Sequence, residues 1–516
     1  MRHGPGALVY APMKPSVLRA GLVSTALFAL VGCSDVTATG EEPEQLETSE
    51  FELTPGAPSL SPPRITSLTA TDAVMGFPST VRAIGTNLAT VSWDFGDSAF
   101  PQMVSGLTPR VVFRRAGLLP VRVTAKNTAG LSTTVTMNLK VGGVVTETKV
   151  PSGSYPFANG SQVRLVTRAD GRRVFAQIAR RLADGTLPVE LGVERADGTF
   201  ETSLLRAPGI DSARDLRVAV GADNVPQLLV ASDTRVSYCR VPLSGAVCVD
   251  LGAWSGNFDL ALRSDDRPVV SVCRGRWLAP DIGGLRLFVA NTRTPNTLAD
   301  FGTEVLVDTR AYRLPVDLGA EHALVLIGNR PVIIGNNGLW PGRYPDGSTI
   351  APVQVYEALS ESPRSAADFA IRDVETAHPA LAGVAARVVG TRLVVAGGAG
   401  GRLAVYSAPT SALAGGFRKA LGDELAPSDP AATRYRLSLS SVGVQPVVSF
   451  VDRLGKSGLV IGVDNQPSES AHLVRLPAFD VSARYYTAVV GRATGPAGLS
   501  LLVHRSHGGL ELLTAR

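Results

Sequence analysis

The sequence lacks the short motifs that most often mark a catalytic site. Its 516 residues contain no Gly-x-Ser-x-Gly elbow, no His-Glu-x-x-His pair, no phosphate-binding loop and no dinucleotide-binding fingerprint. Histidine is scarce, and of the six only His504 and His507 are close together in the sequence. These two fall where a hairpin tip is expected, and a metal site there needs at least one more ligand. We therefore predict no catalytic residues, no metal and no cofactor.

A dense run of basic residues is also missing. The 50 Lys and Arg residues only slightly exceed the 45 Asp and Glu residues, which leaves a net charge of +5. This excess is spread along the chain instead of forming a patch. Because nucleic acid is usually bound by clustered basic side chains, we expect no nucleic-acid partner.

Residues 1–33 have the features of an export signal that ends in a lipid attachment site. Three basic residues and no acidic one precede an apolar run of 13 residues, Ala20 to Gly32. This length suits a signal peptide, whereas a membrane-spanning helix needs about 20 residues. The segment Leu30-Val31-Gly32-Cys33 resembles the lipobox of bacterial lipoproteins. The resemblance implies cleavage before Cys33, lipid on that cysteine and, because Ser34 follows, an outer-membrane location.

Residues 34–64 are predicted to form a disordered acidic tether. Between residues 34 and 63 there are seven acidic residues and no basic one, and prolines crowd the end of the segment. Low hydrophobicity combined with charge of one sign does not bury enough surface to offset the entropy of ordering. Such a segment would hold the folded domains away from the membrane.

Three cysteines follow Cys33: Cys239, Cys248 and Cys273. Export permits disulfides, and Pro242 to Gly245 suggest a turn between two short strands. This register would place Cys239 directly opposite Cys248, so we predict a bond between them. A Cys248–Cys273 bond and three buried thiols are the alternatives.

Residues 65–145 alternate apolar and polar side chains, as at Val121, Val123 and Ala125, which is typical of strands. The segment Trp93-Asp94-Phe95-Gly96-Asp97, with the hairpin pattern after Gly117, resembles the PKD domain, an immunoglobulin-like β-sandwich. The resemblance implies that Trp93 and Phe95 point into the core. It also implies a spacer or a binding module in place of an enzyme.

After a linker at residues 146–160, residues 161–516 repeat an all-β unit. Units that begin near Leu216, Phe258, His322 and Tyr435 align with one another, and degenerate copies fill the gaps between them. We count seven units of roughly 40–60 residues, each with room for four strands. The predicted fold class is therefore all-β, a small immunoglobulin-like sandwich followed by a seven-bladed β-propeller. A pair of β-sandwiches is the alternative for residues 161–516.

Two consecutive units carry long insertions between their second and third strands. The insertions contain Arg274, Arg276, Trp277, Trp340, Arg343 and Tyr344. In a propeller such insertions emerge on one face, so we expect these side chains to share a rim. Large aromatic rings and guanidinium groups dominate binding hot spots, which makes this rim the predicted ligand site. Alternatively, each tryptophan packs only its own loop onto the domain.

Together these features predict a protein held to the envelope membrane by its N-terminal lipid. Its propeller loop face would bind an unknown envelope protein or glycan. One alternative is a hydrolase or lyase that acts on polysaccharide through acidic residues near a central channel. Another is a structural subunit of an envelope assembly.

Overall fold

The computed structural model describes residues 61–71, 73–143, 145–150, 163–179, 182–205, 213, 215–232, 234–242, 245–254, 257–274, 284–308, 322–336, 353–375, 382–399, 402–424, 437–451, 456–476, 481–490, 499–505 and 509–515. The regular elements within these ranges are β-strands and short 3₁₀ helices, so the predicted all-β class is confirmed. None of the described helices is long and apolar enough to cross a membrane. The predicted export signal, Cys33 and most of the predicted tether lie outside the described residues.

The first domain consists of two four-stranded antiparallel sheets. One sheet has the strand order β1 (Arg64–Thr71), β2 (Pro78–Thr86), β6 (Arg110–Phe113), β4 (Ala99–Phe100). The other has the order β5 (Met103–Ser105), β3 (Thr90–Asp94), β7 (Gly117–Lys126), β8 (Ser132–Val141). A short 3₁₀ helix, Gly96–Ser98, follows β3.

The aromatic pair at the end of β3 forms the centre of this domain. Trp93 is 1% and Phe95 2% exposed, and their rings stack with centroids 5.9 Å apart. The indole Nε1 of Trp93 donates a hydrogen bond to the carbonyl of Gly106 (2.8 Å). Gly96 takes a φ of +52°, which favours glycine, and its amide donates to Asp94 Oδ1 (3.0 Å). The prediction that Trp93 and Phe95 point into the core is confirmed.

Beyond residue 160, five separate antiparallel sheets follow one another, each built from four consecutive strands. The first two are β10 (Val163–Thr167), β11 (Arg173–Ile178), β12 (Val189–Glu194), β13 (Phe200–Leu205), and β14 (Asp215–Val220), β15 (Pro226–Ala231), β16 (Arg235–Arg240), β17 (Val247–Ala253). The third is β18 (Phe258–Leu262), β19 (Pro268–Arg274), β20 (Gly284–Val289), β21 (Val305–Asp308). The fourth and fifth are β22 (His322–Ile327), β23 (Arg330–Asn336), β24 (Val353–Ala358), β25 (Phe369–Glu375), and β26 (Ala382–Val389), β27 (Arg392–Ala399), β28 (Arg402–Pro409), β29 (Arg418–Glu424).

The last strands form one larger sheet of eight strands. It contains β30 (Ser438–Val442), β31 (Gln445–Val451), β32 (Lys456–Gly462), β33 (Leu473–Arg475), β34 (Val481–Val490), β35 (Ser500–Arg505), β36 (Gly509–Ala515) and, at its far edge, β9 (Val145–Val150). Short 3₁₀ helices precede several outer strands, at Leu298–Phe301, Ala366–Asp368, Leu413–Gly415 and Ser470–His472.

Among the described residues, the inner strands of successive sheets form a closed ring. The strands β10, β14, β18, β22, β26, β30 and β34 contact one another in this order, and β34 contacts β10 in turn. Since each sheet radiates outward from its inner strand, this arrangement is a β-propeller. The prediction of a propeller is therefore confirmed, and the alternative of two sandwiches is wrong.

The strand β9 lies at the predicted boundary between the first domain and the linker. Residues 145–150 were expected at the end of the first domain and in a linker, yet they pair antiparallel with β36, from Val145 opposite Ala515 to Val150 opposite Leu510. The segment Val-Thr-Glu-Thr-Lys-Val is rich in β-branched residues, which favour strands. A strand that precedes the first sheet thus completes the last one and ties the two ends of the ring together.

Turns at the inner ends of neighbouring sheets are joined by hydrogen bonds. The Asp266 carboxylate accepts from the amide of Ala222 (2.8 Å), and the Asn329 side chain accepts from the amide and the hydroxyl of Ser264 (2.9 and 3.0 Å). In the same turns Asp223 bonds the amide two residues ahead of it (2.9 Å), as expected for an Asx turn. These polar residues therefore fix turns and connect sheets.

The first domain packs directly against the propeller. Its core is continuous with Val447, Leu459, Ile461 and Leu476 of the eight-stranded sheet. Gln445 donates to the carbonyls of Gly76 (3.2 Å) and Gly462 (2.9 Å), and so bonds to both domains. The first domain is therefore fixed to one side of the ring.

Candidate functional site

A cavity of about 490 Å³ lies at the centre of the ring. Side chains from the inner strands β10, β14, β18, β22, β26 and β30 line it, and most of them are aliphatic. The polar exceptions are Arg164, Arg217, Asp259, Arg387 and Ser438. Each of these residues lies on an inner strand at a position that lines the cavity.

Arg217 joins the second and third sheets. Its Nη1 donates to Asp215 Oδ1 (2.8 Å), its Nη2 donates to Asn257 Oδ1 (2.7 Å), and its Nε lies 3.6 Å from Asp259 Oδ1. The guanidinium also lies over the ring of Phe258, 4.9 Å from its centroid. This arginine is neutralised by two carboxylates, so its main contribution is to hold the sheets together.

Asp259 joins the third and fourth sheets. One carboxylate oxygen accepts from the amide of Leu260 (2.9 Å) and the other from the amide of Leu324 on β22 (2.7 Å). Burial is the largest influence on the pKa of Asp259 and raises it, whereas Arg217 and these two amides act in the opposite direction. Both oxygens of Asp259 therefore already accept hydrogen bonds from the protein.

His322 lies beside this network at the start of β22. It is 2% exposed, and its Nε2 lies 2.8 Å from the hydroxyl of Ser271, which is fully buried. Burial lowers the pKa of His322 to about 3, and the charge of Arg217 adds to this effect. Its Nδ1 has no hydrogen-bond partner among the described residues, so no carboxylate there completes a Ser–His–acid arrangement. The contact between Ser271 and His322 therefore connects the third and fourth sheets.

Arg387, on β26, differs from four other arginines of the propeller. Arg173, Arg217, Arg263 and Arg274 each form an ion pair with a carboxylate. The Nε of Arg387 donates only to the hydroxyl of Ser441 (3.3 Å), and no carboxylate among the described residues pairs with it. Its side chain is exposed to the cavity, yet the surrounding protein desolvates it enough to lower its pKa. The guanidinium thus keeps donors available in the cavity.

Only one of the six residues predicted to bind ligand at the rim is described. Arg274 ends β19, where it pairs with Glu304 (3.1 Å), donates to the carbonyl of Leu251 (3.1 Å) and lies over the ring of Phe288. It therefore stabilises the third sheet. The others, Arg276, Trp277, Trp340, Arg343 and Tyr344, lie outside the described residues. Their segments follow β19 and β23, the second strands of consecutive sheets.

The cysteines and the closely spaced histidines were the other candidate groups. Cys239 and Cys248 are directly opposite on β16 and β17 and joined by a disulfide, with Cα atoms 4.1 Å apart. Cys273 lies outside this bond and is buried on β19. His504 belongs to β35, His507 lies outside the described residues, and within the described part of the chain no cluster of His, Cys, Asp or Glu could hold a metal ion.

Sequence reasoning missed the cavity residues Arg164, Arg217, Asp259 and Arg387. A signal was present, because each is a charged residue within a short apolar strand that begins a repeat unit. Reading it required knowledge of which strand of each unit faces the axis. Turn residues and long insertions were the more conspicuous features of the sequence.

Comparison with known proteins agrees with the first domain. The PKD domain model matches residues 69–139. No curated protein matches the chain. Among solved structures, an α-L-arabinofuranosidase, Arb93A, from Fusarium graminearum is 12% identical, with a TM-score of 0.38 over 60% of this chain and 92% of that chain.

Two further solved structures show similarity of the same order. The Aleuria aurantia lectin AAL is 10% identical, with a TM-score of 0.36 over 60% of this chain and 93% of that chain. The Dos1 propeller is 12% identical, with a TM-score of 0.37 over 70% of this chain and 94% of that chain. Since these TM-scores are below 0.5, the propeller is assigned from the sheet order and inner ring of this chain. The chain combines a PKD domain with a β-propeller.

Proposed function

We propose that the chain is a lipid-anchored protein of the bacterial cell envelope whose propeller binds a glycan or a protein. The sequence pattern of residues 1–33, which ends in Cys33, supports export and lipidation. Several acyl chains on one cysteine provide stable anchoring where a single chain is marginal. The acidic tether then positions the PKD domain and the propeller above the membrane.

The observation that carries the binding proposal is the central cavity. Its volume of about 490 Å³ lies in the range of small-molecule sites. Within its described lining, arginines outnumber carboxylates, and the one carboxylate, Asp259, already bonds to backbone amides and an arginine. Glycoside hydrolysis usually needs two carboxylates that face the substrate. The lining therefore favours binding over hydrolysis.

The proposal includes a propeller of seven blades. Five blades are the separate four-stranded sheets. The eight-stranded sheet divides where β32 meets β34, because only two residue pairs, Lys456–Ser482 and Ser457–Val481, connect them. The two halves, β30 to β33 and β34 to β36 with β9, each have four strands and one inner strand.

Retention on immobilised envelope polysaccharide tests the proposal. The mature chain should be retained, and enzymatic removal of the polysaccharide should abolish retention. Alanine at both Trp277 and Trp340 should reduce retention about tenfold, since aromatic anchors dominate such contacts. Met103→Ala is the control, because this residue is 71% exposed and belongs to β5 of the PKD domain. Equal retention of the tryptophan variant and the control would exclude the rim, and absence of any retention would contradict glycan binding.

A further inference from the structure

Several buried or half-buried arginines of the propeller pair with a carboxylate, whereas the exposed Arg387 pairs with none among the described residues. Arg173 pairs with Glu194, Arg263 with Glu361 and Arg274 with Glu304. This is expected, because a charge removed from bulk water is unfavourable unless a partner compensates it. Arg387 lines the central cavity, and among the described residues its guanidinium donates only to the hydroxyl of Ser441 (3.3 Å).

The surroundings of Arg387 suit an anionic group from outside the chain. The nearby cavity wall contains Val325, Leu326, Ala386, Val388 and Leu439, which are apolar. A confined cavity that contains unopposed positive charge concentrates the field on any anion that enters. A guanidinium offers a planar fork of donors that matches a carboxylate, sulfate or phosphate.

We infer that Arg387 binds an acidic group of the ligand, a carboxylate, sulfate or phosphate carried by a sugar, inside the central cavity. The inference rests on the proposed function and specifies its ligand as an acidic glycan. Ser441 holds the Nε side of the guanidinium, which leaves the two Nη atoms for the ligand. The aliphatic lining accommodates the apolar faces of the sugar ring.

Calorimetric titration of the mature chain tests this inference. The probes are glucuronate, glucose 6-sulfate, glucose 6-phosphate and neutral glucose, and the three acids distinguish the possible anionic groups. At least one acid should bind about tenfold more tightly than glucose, as expected for a hydrogen bond to a charged group. Arg387→Gln should weaken that binding about tenfold, and Arg387→Lys should restore part of it.

The matched control is Arg195→Gln. Arg195 is an exposed arginine in the turn between β12 and β13 that pairs with Glu201 (3.3 Å), and its removal should leave binding unchanged. Thermal unfolding of each variant shows whether it is folded. If Arg387→Gln fails to fold, the unaltered chain provides a second test. Phenylglyoxal modifies arginine side chains, and a bound acid should protect Arg387 from this modification, as measured by peptide mass spectrometry.

Two results would overturn the inference. The first is equal binding of glucose and all three acids. The second is evidence that Arg387 takes no part, which is either undiminished binding by Arg387→Gln or, where that variant does not fold, no protection of Arg387 from phenylglyoxal. If the chain nevertheless retains envelope polysaccharide through Trp277 and Trp340, the proposed function stands and only the anion site fails. If it binds neither polysaccharide nor sugar, both fail.

Discussion

Single polar residues determine how the inner strands of the propeller meet. Asp259 bonds the amide of Leu324, Arg217 bonds the side chain of Asn257, and Asn257 donates to the carbonyl of His322 (3.1 Å). Each bond connects one sheet to the next at positions where purely apolar strands could slide. A buried polar network that is satisfied in this way contributes specificity to the packing.

The buried His322 should make the stability of the propeller sensitive to acid. The unfolded chain takes up a proton near pH 6.5, whereas burial keeps the pKa of folded His322 at about 3. The contribution of neutral His322 to the free energy of unfolding is therefore complete above pH 6.5. It is lost as the pH falls toward 3, by up to about 1.4 kcal/mol per pH unit.

Urea unfolding at pH 6.5 and 4.5 measures this effect. Between these two values the unaltered chain should lose about 2 kcal/mol more unfolding free energy than His322→Gln, which has no proton to take up. The comparison between the two proteins removes the contribution of the carboxyl groups, because both contain the same ones. An identical loss in both proteins would show that His322 is protonated in the folded state.

For single residues, the sequence predicts some positions well and others not at all. Trp93 and Phe95 could be placed in the core because a local motif and strand alternation both point inward. Arg387 could not be singled out, because an arginine in a strand is equally compatible with an exposed face. Its environment depends on six other inner strands, from β10 to β34, that are distant in the sequence.

At the level of elements, two sheets have the same local packing, in which an aromatic ring lies over a glycine of the neighbouring strand. Phe175 on β11 covers Gly192 on β12, and Phe450 on β31 covers Gly458 on β32, in both cases directly across the ladder. A Cβ atom at Gly192 would lie 2.0 Å from the ring of Phe175, and one at Gly458 would lie 2.6 Å from the ring of Phe450. The aromatic ring thus occupies the space that the glycine leaves open.

Gly192→Ala should destabilise the chain because the ring of Phe175 must move in a packed sheet. We expect a loss of about 1–3 kcal/mol of unfolding free energy, measured by urea denaturation. Gly415→Ala is the matched control, since a Cβ atom there meets nothing within 4 Å and should change stability by less than about 0.5 kcal/mol. Equal effects of the two substitutions would contradict the role of the ring.

Strand prediction was most successful where the sequence repeats. The inner strands β14, β18 and β22 begin within one residue of the repeat starts at Leu216, Phe258 and His322. The pairing of β9 was not predicted, because Val145 to Val150 were assigned to the end of one domain and to a linker. Its partner β36 lies more than 350 residues away, and no local pattern identifies such a pairing.

At the scale of the whole molecule, the PKD domain and the strand β9, which closes the ring, contact the same sheet of the propeller. β9 follows the last PKD strand after three residues and pairs with β36, while the PKD core packs on the sheet that contains β36. Aromatic contact between Phe100 and His472 (centroids 4.7 Å apart) extends this interface. The PKD domain is therefore well placed to hold the closing strand, and closure determines whether a central cavity exists.

The most direct test of this account is a designed disulfide across the closure. Thr146 and Thr514 are directly opposite in the β9–β36 ladder, so cysteines at both positions should be close enough to bond upon mild oxidation. The bond should appear as the linked peptide pair in a non-reducing digest of the folded chain. Thr146→Cys with Glu511→Cys is the control, because these positions are three residues out of register, roughly 10 Å apart. A bond in the first pair and none in the control is the result that the closed ring predicts. Absence of the bond in the first pair, or equal bonding in both, would contradict it.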